Sequence, residues 1–221
     1  MIESEVLIIG SGIAGATLAL SLARDPQRRI TLITRERDAL ESNTRYAQGG
    51  VISMGIDDRP DLLVEDILKA GAGASSPKMA RILAEEGPAL LQEIVIDTAG
   101  VRFDRDSSGE LKWGNEGAHS RRRILHVGDG TGAAMMKGLL DALRACPNVH
   151  LVTNATAVDL ITFPHHSRDP LDTYQPVRCH GAYVFDRGER TVQRYSAAVS
   201  VLASGGGGRM LGDRSTALGA R

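Results

Sequence analysis

Two glycine-rich stretches near the start of the chain have residue types suited to holding a flat ligand that carries phosphates. The first, residues 10–15, is Gly-Ser-Gly-Ile-Ala-Gly, and it lies between an apolar run at 6–9 and a helical pattern at 16–24. In a strand–turn–helix, the first glycine permits the turn, the second lets a pyrophosphate approach the backbone, and the third lets helix and strand pack. The free N–H groups and dipole of the helix start then attract phosphate. The stretch predicts dinucleotide binding by Gly10, Ser11, Gly12, Ile13, Ala14 and Gly15.

The second stretch, residues 42–50, is Ser-Asn-Thr-Arg-Tyr-Ala-Gln-Gly-Gly. Its hydroxyl and amide side chains supply hydrogen-bond donors and acceptors, and its paired glycines let a backbone pass close to a ligand. Composition alone fits a solvated turn equally well. The position, one strand–helix–strand step after the glycine turn, favours a ligand loop. The residues predicted to contact the cofactor here are Asn43, Thr44, Arg45, Tyr46, Ala47, Gln48, Gly49 and Gly50.

The end of the second predicted strand, residues 29–33, bears on which dinucleotide is bound. A ribose-binding carboxylate usually lies about 20 residues past the glycines, whereas Thr34 and Arg35 occupy that place here, with Glu36 next. We predict that Thr34 and Arg35 hold the adenosine end. An arginine here is also compatible with the 2′-phosphate of NADP, and an NAD(P)-binding dehydrogenase domain is therefore an alternative. The loop at 42–50 favours FAD.

Hydrophobic periodicity places further helices and their buried faces. A helix at 61–69 is predicted with Glu65, Asp66 and Lys69 on its polar face, and another starts at Pro77 with an interruption around residues 87–88. Thr131 is predicted to cap a helix ending near residue 145. The predicted core side chains of these last two helices are Met79, Ile82, Leu83, Leu90, Leu91, Ile94, Val95, Met135, Met136, Leu139, Leu140 and Leu143.

The last third of the sequence favours strands. Apolar runs at 149–152 and 157–161, a hairpin at 177–196 and a buried strand at 198–202 are predicted. The glycine-rich segment 203–208 that follows is predicted to be a second close approach of backbone to the ligand. Cofactor contacts are predicted here for Ala157, Ser204, Gly205 and Gly206.

Bulk composition argues for an ordinary globular protein with a small-molecule ligand. The 221 residues are 42% hydrophobic and 24% charged, with a formal net charge of −1, which gives no electrostatic case for nucleic acid. The first apolar run is too short for a membrane span. Two cysteines without metal-like spacing are typical of reduced thiols in a cytoplasm. Neighbouring His165 and His166 are interpreted as part of a surface loop, and no metal site is predicted.

Taken together, these motifs resemble the N-terminal part of the L-aspartate oxidase family, which is related to the flavoproteins of succinate dehydrogenase and fumarate reductase. The resemblance runs from Glu5 to about Gly206 and rests on residues 10–15, 43–50, 115–120 and 123–126, in the same order. It implies an α/β fold, with a Rossmann-like FAD-binding domain built on a parallel sheet and an incomplete capping domain. Residues 1–221 would form the FAD-binding part, with a cap-like insertion within about 101–125, and the family's C-terminal domains would be absent.

The resemblance also implies how FAD is held. Succinate dehydrogenases and fumarate reductases of membranes have a histidine covalently bound to flavin where this chain has Asn43, so noncovalent FAD is expected. Asp213, with the glycine before it, resembles a flavin-contacting pair of the family.

Glu116 is the residue that the resemblance makes most informative about substrate. It lies in Asn-Glu-Gly-Ala-His-Ser, residues 115–120, where succinate-using relatives tend to have glutamine. A carboxylate there can pair with the α-ammonium group of aspartate, so Glu116 is predicted to orient the substrate. The implied activity is FAD-dependent oxidation of L-aspartate to iminoaspartate in NAD biosynthesis, with dioxygen or fumarate as acceptor.

The family's catalytic arginine and substrate-binding histidines have no counterpart in these 221 residues. The chain is therefore expected to be a fragment, one half of a split enzyme whose second chain supplies the rest, or a natural truncation. The alternatives are a noncatalytic flavin-binding module and a subunit of fumarate reductase type that requires another chain.

Overall fold

A computed structural model describes residues 2–206 of the chain. The chain forms two compact units: Met1–Thr44 together with Leu139–Arg221, here called the sheet unit, and Arg45–Gly138, here called the helical unit. The strands in chain order are β1 (Ile2–Ile9), β2 (Ile30–Ile33), β3 (Val51–Ile52), β4 (Ile124–Leu125), β5 (Val149–Val152), β6 (Ala155–Phe163), β7 (Arg178–Asp186) and β8 (Thr191–Leu202). The α-helices are α1 (Ile13–Ala23), α2 (Pro60–Ala70), α3 (Pro77–Leu90) and α4 (Thr131–Arg144).

The sheet unit contains six strands in the order β5-β2-β1-β8-β7-β6. The first four are mutually parallel, whereas β8 with β7 and β7 with β6 are antiparallel. The second half of β1 and all of β2 are buried, as expected of strands covered on both faces. The structure therefore confirms an α/β fold whose sheet is mostly parallel, with β7 and β8 forming a hairpin at its antiparallel end.

A contiguous apolar cluster holds the sheet unit together. It joins side chains of β1 and β2 to those of β6, β7 and β8: Leu7, Ile9, Ile33, Ala155, Ala182, Val184, Tyr195 and Ala197. Because these residues span both the parallel and the antiparallel strands, the ends of β1 and β2 are fixed by long-range packing.

The helical unit is organised by α2 packed on α3, through Leu63 and Val64 of α2 and Ala80 and Ala84 of α3. The small alanine side chains let the two helices approach closely. The predicted core residues Leu91, Ile94 and Val95 are buried, but the prediction is wrong for three others. Met79, Leu83 and Leu90 are exposed, because α3 turns its alanine face towards α2.

The predicted interruption of α3 around residues 87–88 is also wrong. The helix continues through Pro88 to Leu90 and is followed by a π-helical segment, Leu91–Thr98. Proline removes one backbone donor, and the N–H of Leu91 lies within bonding distance of the carbonyls of both Gly87 and Pro88. The α-helix therefore passes Pro88 without ending there, and the register widens to the π-helical form only from Leu91.

Helix α4 agrees closely with the prediction. All five predicted core residues, Met135, Met136, Leu139, Leu140 and Leu143, are at most 4% exposed. The prediction that Thr131 caps the helix is wrong: Thr131 is the first helical residue, and its buried hydroxyl accepts the N–H of Val127, which precedes the helix, at 3.1 Å.

Residues 101–123 are largely irregular. An antiparallel bridge joins Arg105 to Leu111, and another joins Gly114 to Ile124. The cap-like character of the segment within 101–125 stays a prediction. Over residues 2–206, no helix combines the length and apolar character that crossing a bilayer requires.

Candidate functional site

Two of the three glycines in the predicted dinucleotide turn are required by the protein itself. Gly10 has φ +116°, and a Cβ there would lie 2.3 Å from the carbonyl oxygen of Ala203. A Cβ on Gly15 would lie 1.9 Å from the carbonyl oxygen of Gly10. These positions let β1, α1 and the end of β8 meet without side chains between them.

Gly12 is different, because no atom of residues 2–206 comes closer than ordinary contact distance to a Cβ built there. Its φ of −64° suits any residue, and its nearest neighbours for a Cβ are Thr44 Oγ1 at 3.7 Å and Ser42 Cβ at 3.8 Å. Both are ordinary contact distances. The turn thus offers an open backbone surface at Gly12, which is what a pyrophosphate would need.

The start of α1 supplies donors beside this open surface. The helix begins at Ile13, and no side chain of Gly12 can cap it. The hydroxyl of Thr44 accepts the N–H of Ile13 at 3.2 Å, and the other N–H groups of the first turn have no carbonyl within the helix to bond. Buried Ser11 instead turns its hydroxyl to the carbonyl of Ala39, at 3.0 Å. The donor set fits phosphate oxygens.

Thr34 and Arg35 lie at the carboxyl end of β2, where an adenosine moiety was predicted. Thr34 is buried, with its N–H bonded to Val152 and its carbonyl to Ala155, both at 2.9 Å. The exposed Arg35 guanidinium lies 2.8 Å from the carboxylate of Glu36. This pairing offsets the positive charge of Arg35, which would be needed to bind the 2′-phosphate of NADP.

The segment after β8 also lies beside the glycine turn. The N–H of Ala203 bonds the carbonyl of Ile9 at 2.8 Å, and a Cβ on Gly10 would lie 3.0 Å from the backbone nitrogen of Ser204. The predicted contact residues of this segment are Ser204, Gly205 and Gly206. All three are exposed. Ala157 lies on β6 and packs against the apolar cluster of the sheet unit, and Asp213 lies outside the described residues.

In the helical unit, residues 45–50 lead into β3, which pairs with β4. The carbonyl of Ala47 accepts the N–H of Gly132 at 2.9 Å, and Gly50 has φ +85°. A Cβ on Gly50 would lie 2.5 Å from Ile124 and 2.8 Å from the ring of His126. Gly50 is therefore a packing requirement. The exposed side chains of Tyr46 and Gln48 leave this segment open on one side.

The structure brings Glu116 to this segment. A Cβ built on Gly49 would lie 2.9 Å from Glu116 Oε1, so the carboxylate lies directly beside the glycine. Glu116 and its neighbours Asn115, Gly117 and Ala118 are exposed. A buried nitrogen, Nδ1 of His119, has no protein hydrogen-bond partner within residues 2–206. The segment thus presents a carboxylate next to a glycine-lined loop.

A cleft of about 650 Å³ lies beside the same segment. Its lining combines two cationic side chains with one carboxylate and several polar and apolar groups. Its lining residues are Ile56, Asp57, Trp113, Asn115, Ser120, Arg121 and Arg122.

Beneath the segment lies a buried ionic cluster that the sequence did not reveal. The Arg123 guanidinium, 0% exposed, makes two bonds to Asp58 at 2.8 and 2.9 Å and one to Asp66 at 2.8 Å. Asp66 was predicted to lie on the polar face of its helix, but its side chain is only 12% exposed. That prediction is wrong, because helical periodicity cannot show a partner 57 residues away.

The pKa of Asp66 reflects these opposing influences. Burial disfavours the charged carboxylate, but the backbone and hydroxyl bonds from Ser120 and the charge of Arg123 outweigh it, so the pKa is lowered. A carboxylate with a lowered folded pKa stabilises the fold above its unfolded value of about 3.9. That stabilisation is lost as the pH falls through the folded pKa.

The two adjacent histidines lie in a surface turn, as interpreted from the sequence. Their rings meet edge-on with centroids 4.8 Å apart, and His166 lies 3.4 Å from Asp159. Within the described part of the chain, no three His, Cys, Asp or Glu side chains are grouped as metal ligands would be.

Residues 5–220 match the FAD binding domain family. The chain belongs to this family. The match covers both units, and it agrees with the open turn at Gly12 and the paired charge of Arg35. FAD is therefore the cofactor that the family and the fold indicate, and the NADP alternative loses its support.

Relatives that are similar in sequence are L-aspartate oxidases. The chain is 37% identical to L-aspartate oxidase 1 of Ralstonia nicotianae over 93% of its length and 37% of the relative's. It is 42% identical to L-aspartate oxidase of Agrobacterium fabrum over 71% of its length and 29% of the relative's. The chain thus spans about a third of the length of the curated relatives that it matches.

Solved structures support the fold. Mycobacterium smegmatis Sdh1 in complex with UQ1 superposes with a TM-score of 0.83 at 23% identity, over 99% of this chain and 36% of that one. A variant of E. coli quinol fumarate reductase gives the same TM-score at 21% identity, over 94% of this chain and 33% of that one. The mixed α/β FAD-binding fold is confirmed by these likenesses.

Proposed function

We propose that this chain is the FAD-binding N-terminal part of an L-aspartate oxidase, which oxidises L-aspartate to iminoaspartate in NAD biosynthesis. The observation that carries the proposal is the position of the Glu116 carboxylate beside Gly49 of the proposed cofactor loop. The sequence relatives named L-aspartate oxidase support it. Dioxygen or fumarate is the proposed electron acceptor.

The residues of the chain have separate tasks in this proposal. The open turn at Gly12 and the start of α1 hold the pyrophosphate, and residues 43–50 and 204–206 line the rest of the cofactor. Asp213 and Ala157 are proposed to contribute further contacts. When bound, FAD supplies a two-electron acceptor for the hydride of the substrate Cα.

Glu116 is proposed to orient the substrate by its charge. A carboxylate beside the cofactor loop can pair with the α-ammonium group of aspartate, which succinate and fumarate lack. A charge-assisted hydrogen bond of this kind contributes about 1.5–3 kcal/mol. That is enough to favour one four-carbon dicarboxylate over another.

The remaining substrate contacts are proposed to come from the rest of the enzyme, in a longer polypeptide or in a second chain. We expect cationic side chains there, to pair with the two carboxylates of the substrate. A noncatalytic flavin-binding module or a fumarate-reductase-like subunit is the alternative, and the fold likeness to fumarate reductase is the observation that favours it. Cytoplasmic location is proposed from the free thiols of Cys146 and Cys179.

FAD bound to this chain is expected to be noncovalent, because an asparagine amide at position 43 cannot form the bond that a histidine forms. Acid precipitation of the yellow protein should release the flavin, and the absorbance of supernatant and pellet measures it. Colour retained in a washed, denatured pellet would contradict the prediction.

Glu116→Gln tests the proposed substrate. In an enzyme completed by joining this chain to the C-terminal part of the Ralstonia nicotianae relative, we expect kcat/KM for aspartate to fall about 10- to 150-fold. The change removes the negative charge and keeps the shape of the side chain. Fumarate reduction should be kept or improved, since fumarate has no ammonium group to pair.

The matched control is Glu110→Gln, an exposed glutamate of the same unit. It should leave both activities unchanged. Equal losses with aspartate and fumarate in Glu116→Gln would mean that Glu116 supports the segment and does not distinguish the amino group.

A further inference from the structure

Three hydrogen bonds converge on one oxygen of Asp66. Its Oδ2 accepts the backbone N–H of Ser120 at 2.8 Å, the hydroxyl of Ser120 at 2.9 Å and the guanidinium of Arg123 at 2.8 Å. Asp66 lies in the middle of α2, whose opposite face is buried against α3. The carboxylate therefore ties the segment 114–123 to a packed helix 54–57 residues away in sequence.

The C-terminal end of that segment, residues 120–123, is fixed by several other contacts. Arg123 bonds buried Asp58 through two nitrogens, and its carbonyl accepts the N–H of Ser53 at 2.8 Å. A Cβ on Gly55 would lie 1.9 Å from the carbonyl oxygen of Arg122. Backbone and side chain are thus held together where the segment enters β4.

The part that carries Glu116 has little support of its own. Residues 115–118 are exposed, and one turn bond, from the N–H of His119 to the carbonyl of Glu116 at 2.9 Å, closes it. At the N-terminal end of the segment, Gly114 is paired with Ile124. The place of Glu116 beside Gly49 therefore depends on the anchors at Gly114 and Ser120.

We propose that Asp66 is a positioning residue for Glu116, acting through its two bonds to Ser120. By fixing Ser120, it holds the Glu116 carboxylate where the ammonium group of an amino dicarboxylate is recognised. The recognition of an amino group rests on the proposed function, whereas the positioning of the segment does not.

The first experiment uses the 221-residue chain without substrate. Hydrogen exchange of the Ser120 amide should accelerate about 10-fold or more in Asp66→Ala, because the acceptor of that N–H is lost. Ser120→Ala keeps the N–H bond and should change exchange of this amide less. Glu65→Gln, an exposed neighbour on the same helix, should change nothing. Unaltered exchange in a folded Asp66→Ala protein would overturn the proposal.

The second experiment is a double-mutant cycle in the completed enzyme. The measured quantity is the ratio of kcat/KM for aspartate oxidation to that for fumarate reduction. Asp66→Ala should lower this ratio about 10-fold alone, but by no more than about 2-fold when Glu116→Gln is already present, because coupled residues are not additive. A further 10-fold loss in the double variant would show that Asp66 acts independently of Glu116, against the proposal.

The two experiments distinguish failure of the proposed function from failure of the proposed positioning role of Asp66. If the completed wild-type enzyme does not oxidise aspartate, the proposed function fails, and hydrogen exchange alone still decides whether Asp66 positions the segment. If Asp66→Ala fails to fold, Ser120→Ala replaces it in the double-mutant cycle. Ser120→Ala alone should lower the ratio by less than Asp66→Ala, and it should cause no further loss when Glu116→Gln is already present. A loss that persists there would again overturn the proposal.

Discussion

Gly12→Val is expected to lower the affinity of the chain for FAD at least about 100-fold while the sheet stays folded. A pyrophosphate at this turn would accept charge-assisted bonds from the start of α1, each worth about 1.5–3 kcal/mol, and two of them correspond to at least a 100-fold change in affinity. A branched side chain at residue 12 would occupy the surface from which the pyrophosphate approaches.

The structure explains why the fold should survive. A Cβ at residue 12 meets its nearest protein atoms at 3.7 and 3.8 Å, and the backbone there has φ −64°. Among the residues that the structure describes, no neighbour must move to admit the first carbon of a new side chain. Within residues 2–206 the fold itself therefore does not require a glycine at residue 12, and we propose that the ligand does.

Flavin absorbance after gel filtration and a titration of flavin fluorescence measure the loss, and far-ultraviolet circular dichroism reports the fold. The matched control is Gly15→Ala, whose Cβ would lie 1.9 Å from the carbonyl oxygen of Gly10. It should destabilise the sheet unit itself. Wild-type flavin occupancy in Gly12→Val would place the pyrophosphate elsewhere.

The glycine turn was predictable because its causes are local. A buried strand, a tight turn and a helix start lie within about fifteen residues. Backbone sterics explain why positions 10 and 15 must be glycine. The structure adds a cause that the sequence could not show. The carbonyl that excludes a side chain at Gly10 belongs to Ala203, at the other end of the described chain.

Helices α3 and α4 show where hydrophobic periodicity succeeds and fails. In α4 the large apolar side chains occupy one face, and that face is buried. In α3 two faces are apolar, one with Met79 and Leu83 and one with Ala80 and Ala84. The sequence does not show that a closely packed partner, α2, favours the smaller side chains.

The substrate side of the site was predictable only in part. The resemblance singled out Glu116, and the structure places its carboxylate beside Gly49, while its role towards a substrate stays a prediction. Arg123, Asp58 and Asp66 were missed, because no periodic pattern joins positions separated by 57 and 65 residues. An arginine beside two other arginines resembles a solvated run until the fold buries it.

Arg123→Met is expected to destabilise the helical unit by about 3–5 kcal/mol, the usual effect of removing one partner from a buried ion pair. The side chains of Arg123 and Asp58 are both 0% exposed, and Asp66 is 12% exposed. Methionine fills much of the volume of arginine but leaves a buried carboxylate on Asp58 without its cation. The loss is electrostatic more than steric.

Trp113 provides the measurement, since it is the chain's single tryptophan and belongs to the helical unit. Urea unfolding followed by its fluorescence should show a lower midpoint in Arg123→Met. Arg81→Met is the matched control, because Arg81 pairs with Asp61 at an exposed site, where ion pairs contribute little. Adding Asp58→Asn to Arg123→Met should restore part of the stability, because it removes the uncompensated buried charge. Equal midpoints for Arg123→Met and Arg81→Met would mean that the buried cluster contributes no more than a surface pair.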